Sequence, residues 1–345
     1  MIKVGIIGAG GYAGVNLLSI LLRHKQVEVS WLMSEEAHKG KKIAELYPHL
    51  LGECDLACQT LDDLDKVLGK VDLIFLALPH GIALNFVPKI LAAGKKVVDL
   101  GADYRFNDEA VFKKWYKLEH PDKKVLAEAV FGSPELYKDK IKSARLIANP
   151  GCYPTASILG LAPLVKNKLI DTNSIVVDAK SGISGAGRGV SLKVHFCERN
   201  EGIAAYAVTT HRHMGEIEYQ LSRVAGHELT VTFVPHLAPM NRGILATCYA
   251  KLNTPHSALR NLYKEFYKGQ PFVRIYESGE PCTKNVAGTN CCDIGVAVNE
   301  CTGTVIVMSC IDNLIKGAAG QAVQNMNLML GYPEDEALKM IALYP

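Results

Sequence analysis

Apolar residues open the chain as a short continuous run at 2–7, and a glycine-punctuated turn follows. Residues 15–22 then repeat apolar positions at helical spacing, and 27–33 alternate as a strand does. Further on, 61–68 predicts a short helix, 71–78 an unbroken apolar strand, 83–93 a helix and 96–100 another strand. Strands that alternate with helices predict a parallel sheet covered on both faces.

Near residue 149 the pattern changes. Residues 175–179, 229–234, 244–252, 272–277, 294–298 and 304–310 read as strands, with two helical stretches, 213–224 and 257–267, between them. Successive strands predict a mixed or antiparallel sheet. A helical pattern at 314–330 follows, with Gly331 as its stop and Pro333 just beyond. The expected fold is therefore α/β: a Rossmann dinucleotide-binding domain plus an α+β catalytic domain with a mixed or antiparallel sheet.

Composition narrows the function. A chain of 345 residues, 48% hydrophobic, has core enough for two domains. A net charge of +3 argues against bulk nucleic-acid binding. The ten cysteines include no Cys-x-x-Cys pair and no zinc-finger spacing, so no metal is expected and a reducing, cytoplasmic setting is. Residues 4–22 are nearly uncharged, but Gly8, Gly10, Gly11 and Gly14 interrupt them, which opposes a signal peptide or anchor.

Those glycines sit between a strand and a helix, where a dinucleotide site needs them. Glycine permits the tight turn and lets backbone approach a pyrophosphate, while the helix start offers N–H donors. Gly8, Gly11 and Gly14 give one spacing; Gly8, Gly10 and Ala13 fit the commoner form. Ser34 takes the tip of the second strand, where an NAD site often carries a carboxylate, and His38, Lys39, Lys41 and Lys42 follow. A hydroxyl with nearby cations suits a 2′-phosphate, so NADP is expected over NAD, although Glu35 and Glu36 lie close by.

The stretch Ala148-Asn149-Pro150-Gly151-Cys152-Tyr153-Pro154-Thr155-Ala156 is the most informative. Pro154 fits the first turn of a helix that continues through 157–165. Cys152 then lies at a helix N-terminus, where the dipole favours a thiolate and N–H donors can hold an oxyanion. Its proton-transfer partner is sought in His211-Arg212-His213, with Glu216 one turn on. His213 is favoured over His211 because it is nearer that carboxylate; His236 and His195 are alternatives. Arg105, Arg188 and Arg242 each adjoin glycine- or proline-rich turns and are candidate seats for an anionic substrate, and the turn 181–187 could cradle an anion or the nicotinamide side of the cofactor.

Together these strings resemble the N-acetyl-γ-glutamyl-phosphate reductase family of arginine biosynthesis, which is related to aspartate-semialdehyde dehydrogenases. NPGCYPTA at 149–156, DAKSGISGAGR at 178–188 and DNLIKGAAGQAVQNMNLM at 312–329 are specific in combination. The resemblance implies a Rossmann domain of residues 1–149 and 314–345 and a catalytic, oligomerising domain of 150–313. It implies a homo-oligomer, dimer or tetramer, with no nucleic-acid or membrane partner. It implies Cys152 as nucleophile, His213 and His211 as the acid–base region, and Asn313 near the nicotinamide. Tyr12, Pro79, Ser181 and Gly182 are expected to complete the cofactor seat, and Asn149 and Ser184 to join the arginines at the substrate. Met214-Gly215 departs from the family, which often has proline before Glu216, and this predicts a looser helix start. Other acyl phosphates (N-succinyl or carrier-linked glutamyl, aminoadipyl, aspartyl) and a non-catalytic NADP sensor are the alternative functions.

Overall fold

A computed structural model describes residues 1–254 and 258–344. The chain forms two compact units, residues 1–150 with 318–339, and 151–317 with the last residues from Met340.

The first unit is built on seven strands: β1 (Ile2–Ile7), β2 (Val27–Met33), β3 (Cys58–Gln59), β4 (Leu73–Leu76), β5 (Lys96–Asp99), β6 (Val130–Phe131) and β7 (Leu146–Ala148). Their order is β3-β2-β1-β4-β5-β7-β6, and every pairing is parallel. Buried on both faces, these strands read as apolar runs, and β4 buries all four of its residues. The order reverses between β1 and β4, and a crevice at that switch is where doubly wound sheets bind ligands.

Three helices between β5 and β7 escape the apolar pattern: Glu109–Tyr116, Lys123–Glu128 and Pro134–Ser143. They are polar, and the starts of the first two are set by side-chain caps. Asp108 accepts from the N–H groups of Ala110 and Val111, and Asp122 from Lys124 and Val125. The expected helix at 314–330 divides into a π-helical turn, Ile315–Ala319, and an α-helix, Gly320–Leu330. Asp312 causes the division. Its carboxylate accepts from Leu314 and Ile315 N–H, and its carbonyl accepts from Gly317 N–H five residues on.

The helix Gly320–Leu330 packs on the helices Tyr12–Leu21 and Pro134–Ser143 and on β5. Gln321, Gln324, Asn325 and Asn327 are buried along it. They hold backbone and side chains of their own unit: Gln321 and Asn325 both donate to Gly132 O, and Asn327 Oδ1 lies 2.9 Å from His24 Nε2.

The second unit carries β8 (Val176–Gly182), β9 (Ala204–Ala205), β10 (Thr232–Ala238), β11 (Ile244–Lys251), β12 (Val273–Ile275), β13 (Cys292–Asn299) and β14 (Thr304–Ile311). The order is β12-β13-β14-β11-β8-β10-β9. β8 with β10 and β12 with β13 are parallel and the rest antiparallel, giving the mixed sheet expected. The helix Cys152–Lys166 lies on β11 and β14 and against the helix Arg212–Ala225. It is buried along nearly its whole length, as its all-round apolar composition requires. The expected helix at 257–267 runs Leu259–Phe266; its predicted first residue, Ser257, lies outside the described residues.

Candidate active site

In the first unit the glycine loop stands at the β1/β4 switch. Gly8 has φ +93°, and a Cβ there would sit 2.3 Å from Ala77 O, just beyond β4. A Cβ on Gly14 would lie 2.2 Å from Gly8 O. Gly8 demands glycine for its conformation and for close approach, and Gly14 for close approach alone. Gly11 caps the helix that Tyr12 and Ala13 begin, so its first N–H groups face the loop. This cradle fits a dinucleotide pyrophosphate.

Ser34 is buried beside Gly10, with Oγ 2.9 Å from His38 Nδ1. Of the lysines that follow, Lys39 pairs with Glu36 and Lys42 with Asp55, both on the surface. Such exposed pairs exchange readily for an incoming phosphate. Pro79 follows β4 and is exposed. The next segment is held by Asp103, whose carboxylate accepts from Gly81 and Ala83 N–H.

Two residues expected at the substrate also brace the fold. Arg105 is buried and donates to Asn149 O and Leu100 O, tying the ends of β5 and β7 together. Asn149 is fully buried, and its amide donates to Ala318 O and accepts from Asn325. Both residues fix the turn leading to Cys152. Asp99, next to them, is fully buried; Oδ1 accepts from Gly101 N–H, and burial, then Asp103, pushes its carboxyl up to about 7.

In the second unit Cys152 is the first residue of its helix, behind the cap Gly151. Thr155 returns both N–H and Oγ1 to Gly151 O, at 2.9 Å each. The Gly151 N–H donates to Glu216 Oε1 at 2.8 Å, and Glu216 is fully buried. Gly317, in the π-turn, comes so close that a Cβ there would lie 2.8 Å from Cys152 Cβ. Glu216 and Gly317 are site residues the sequence did not disclose in these roles. One acts on a loop 65 residues away, and the other is one glycine among 30.

The histidine helix begins at Arg212, one residue earlier than expected and without the looseness that Met214-Gly215 suggested. His211 is its cap: Nδ1 accepts from His213 N–H at 3.1 Å. The two imidazoles stand edge to face at 4.8 Å, and Tyr153 meets His211 at 5.7 Å and His213 at 5.9 Å. Burial, reinforced by Arg212, pushes His211 down to about 4, so its imidazole is neutral at physiological pH. The Tyr153 hydroxyl donates to His236 O and accepts from Tyr206. Burial drives the Tyr153 phenol far up and that of Tyr206 up to about 12, so both stay protonated hydrogen-bonding groups.

His236 lies 3.2 Å from Asp178, which also pairs with Lys180. His195 is exposed. Ser181 is buried and turns its hydroxyl to Gly182 O. Asn313 accepts from Gly243 N–H and donates to Ser184 Oγ, which fixes the 181–187 turn. Arg188 is exposed, and Arg242, half-exposed, lies 3.5 Å from buried Asp312.

Residues 3–144 match the family model described as semialdehyde dehydrogenase, NAD-binding domain, and 152–313 the semialdehyde dehydrogenase dimerisation domain. The first match makes the amino-terminal unit a nicotinamide-dinucleotide-binding domain. N-acetyl-γ-glutamyl-phosphate reductases of Desulforamulus reducens and Geobacter sulfurreducens are each 51% identical over all of this chain and all of theirs. The chain belongs to the N-acetyl-γ-glutamyl-phosphate reductase family.

Solved structures agree on the fold of that family. The chain is similar to aspartate semialdehyde dehydrogenase II of Vibrio cholerae, with a TM-score of 0.75 at 15% identity, covering 96% of this chain and 98% of that one. Aspartate semialdehyde dehydrogenase from Francisella tularensis gives 0.68 at 14%, covering 96% and 100%. Among the described residues, no helix is long and apolar enough to cross a membrane, and no His, Cys, Asp and Glu group could hold a metal ion.

Proposed function

We propose that the chain reduces N-acetyl-γ-glutamyl phosphate to N-acetylglutamate 5-semialdehyde with NADPH, releasing phosphate, in arginine biosynthesis. One observation carries the chemistry: Cys152 opens a buried helix, with its cap held by Glu216 and its flank open to Gly317. The relatives at 51% identity carry the substrate.

The Cys152 thiolate attacks the γ-acyl carbonyl. Donors of the helix's first turn stabilise the oxyanion, and the carbon–oxygen bond to phosphate breaks, leaving a thioester on Sγ. NADPH, when bound, supplies the hydride that takes the thioester to a thiohemiacetal. His213 protonates the developing oxygen and assists collapse to aldehyde and thiolate. His211, neutral and with Nδ1 committed to the helix cap, offers its other nitrogen as an N–H donor to the substrate. Arg188, Arg242 and Ser184 are the remaining candidates for the substrate's anionic groups. Ser34, with His38 and Lys39 nearby, supports NADP over NAD. The protein works as a homo-oligomer, dimer or tetramer, in the cytoplasm.

The test is the reverse reaction, reading NADPH formed from NADP, phosphate and an aldehyde. N-acetylglutamate semialdehyde should outperform the N-succinyl analogue and aspartate semialdehyde, and Cys152→Ala should abolish turnover. Faster turnover of another aldehyde would reassign the substrate. Near-native activity in the Ala variant would end the thioester mechanism.

A further inference from the structure

Asp312 is fully buried, and its two carboxylate oxygens serve different segments of the second unit. Oδ1 accepts from the N–H groups of Leu314 at 2.8 Å and Ile315 at 3.1 Å. Those bonds begin the π-turn Ile315–Ala319, and the Asp312 carbonyl accepts from Gly317 N–H at 2.9 Å. Gly317 is the residue that lies against Cys152. Oδ2 accepts from Gly288 N–H at 2.7 Å and lies 3.5 Å from Arg242 Nη1.

The backbone around Arg242 is fixed independently. Gly182 N–H donates to Gly243 O at 2.8 Å, Ser184 N–H donates to Asn241 O at 3.1 Å, and Asn313 Oδ1 accepts from Gly243 N–H at 2.8 Å. A Cβ on Gly182 would lie 2.7 Å from Arg242 N, so the two turns are pressed together. The Arg242 side chain is half-exposed. On a fixed backbone an arginine still has many rotamers, and a buried carboxylate at its tip selects among them. Capping the π-turn does not by itself require aspartate, because serine or asparagine caps as well. A buried carboxylate is costly unless donors and a cation offset it, so the second oxygen calls for a separate reason.

We infer that Asp312 is a positioning residue for the reaction: one oxygen sets the π-turn against Cys152, and the other orients the Arg242 guanidinium for the substrate's anionic group. Nucleophile and anion seat keep a fixed register because one buried carboxylate holds both. This rests on the reading of Arg242 as a substrate contact.

The test separates the two oxygens in the full-length enzyme, run in reverse with NADP, inorganic phosphate and N-acetylglutamate semialdehyde. Asp312→Ser keeps a hydroxyl acceptor for the Leu314 and Ile315 N–H groups and removes the oxygen at Arg242. Its KM for phosphate or for the aldehyde, whichever anion Arg242 holds, should rise about 10-fold, with iodoacetamide alkylation of Cys152 within about two-fold of wild type. Arg242→Met should raise the same KM, and adding Asp312→Ser to it should change that KM by less than about two-fold, because the carboxylate acts through the arginine. Asp312→Ala removes the cap as well and should slow alkylation by about 10-fold.

A merely structural role predicts a lower kcat at unchanged KM in Asp312→Ser, and that result would overturn the inference. So would full additivity in the double variant, or normal alkylation in a folded Asp312→Ala. If neither Asp312 variant folds, Arg242→Met still decides. Separate oxygens require a raised KM with unchanged alkylation, and slowed alkylation would overturn them. Normal KM values for both anions in Arg242→Met would overturn the Arg242 assignment, and this inference with it, while the reductase reading stands.

Discussion

The backbone N–H of His213 donates to Nδ1 of His211 across 3.1 Å, making one histidine of the pair the cap of the helix that carries the other. Capping fixes the tautomer: with Nδ1 an acceptor, the proton of neutral His211 is on Nε2. Asparagine is a strong cap and alanine a poor one. His211→Ala should therefore lower unfolding free energy by about 1 kcal/mol more than His211→Asn does. Equal losses in urea titrations of the two variants would mean that the cap contributes nothing.

The same residue sets a pH dependence. Unfolded, His211 takes its proton near 6.5; folded, near 4. Between those values the unfolded chain binds the extra proton, so His211 makes stability fall as pH drops from about 6.5 to about 4. Asp99 acts the other way. Its carboxyl titrates at 3.8 when unfolded and at about 7 when folded, so the folded chain holds the extra proton between those values. Asp99→Asn should accordingly look more favourable, relative to wild type, at pH 8 than at pH 5, by about 2–4 kcal/mol. Urea midpoints at the two pH values measure this, and a pH-independent difference would refute it.

His213 is assigned the proton transfer. His213→Asn should lower kcat by about 10²–10⁴-fold with little change in NADPH affinity, the usual worth of a positioned acid–base group. His211→Asn should act mainly on KM, as loss of a contact made equally in ground and transition states does. A collapse of kcat confined to the His211 variant would exchange the roles.

Gly317→Ala forces a methyl to within 2.8 Å of Cys152 Cβ. The nucleophile must shift, and a displacement of about 1 Å can cost on the order of 100-fold in rate. The variant should show that loss in kcat and slower alkylation of Cys152, while NADPH titration is unaffected. Normal alkylation with normal kcat would show that the π-turn tolerates the methyl.

In the proposed NADP seat, Ser34 takes the place at which a carboxylate would reject a 2′-phosphate. Ser34→Asp should narrow the ratio of kcat/KM for NADPH over NADH by charge repulsion. A wild type that already prefers NADH sinks this assignment.

What the sequence disclosed and what it hid follow one division. β1, the glycine loop and the Cys152 helix were legible because each is a local pattern: an apolar run, fixed glycine spacing, and Pro154 in a first turn. Two of the polar helices between β5 and β7, Glu109–Tyr116 and Lys123–Glu128, hid because their caps, Asp108 and Asp122, rather than an apolar stripe, define them. The bracing bonds of Arg105 were hidden for a related reason. An arginine after a strand looks like a ligand seat until its donors are found on Asn149 and Leu100, and such pairing is a tertiary fact. Glu216 stood in plain view beside His213, but its bond to Gly151 spans 65 residues and has no sequence signature.

The return of residues 318–339 to the amino-terminal unit orders the events of synthesis. When Pro150 leaves the ribosome, the surface of β5 and of the helices Tyr12–Leu21 and Pro134–Ser143 that will receive the helix Gly320–Leu330 is still bare. About 170 residues must be added first, roughly 8–34 s at ordinary elongation rates. During that wait the face that receives this helix lacks its cover, so completion of the dinucleotide-binding unit is a late step. Gln321 and Asn325, which bond Gly132 and Asn149, then act as the latch that matures it.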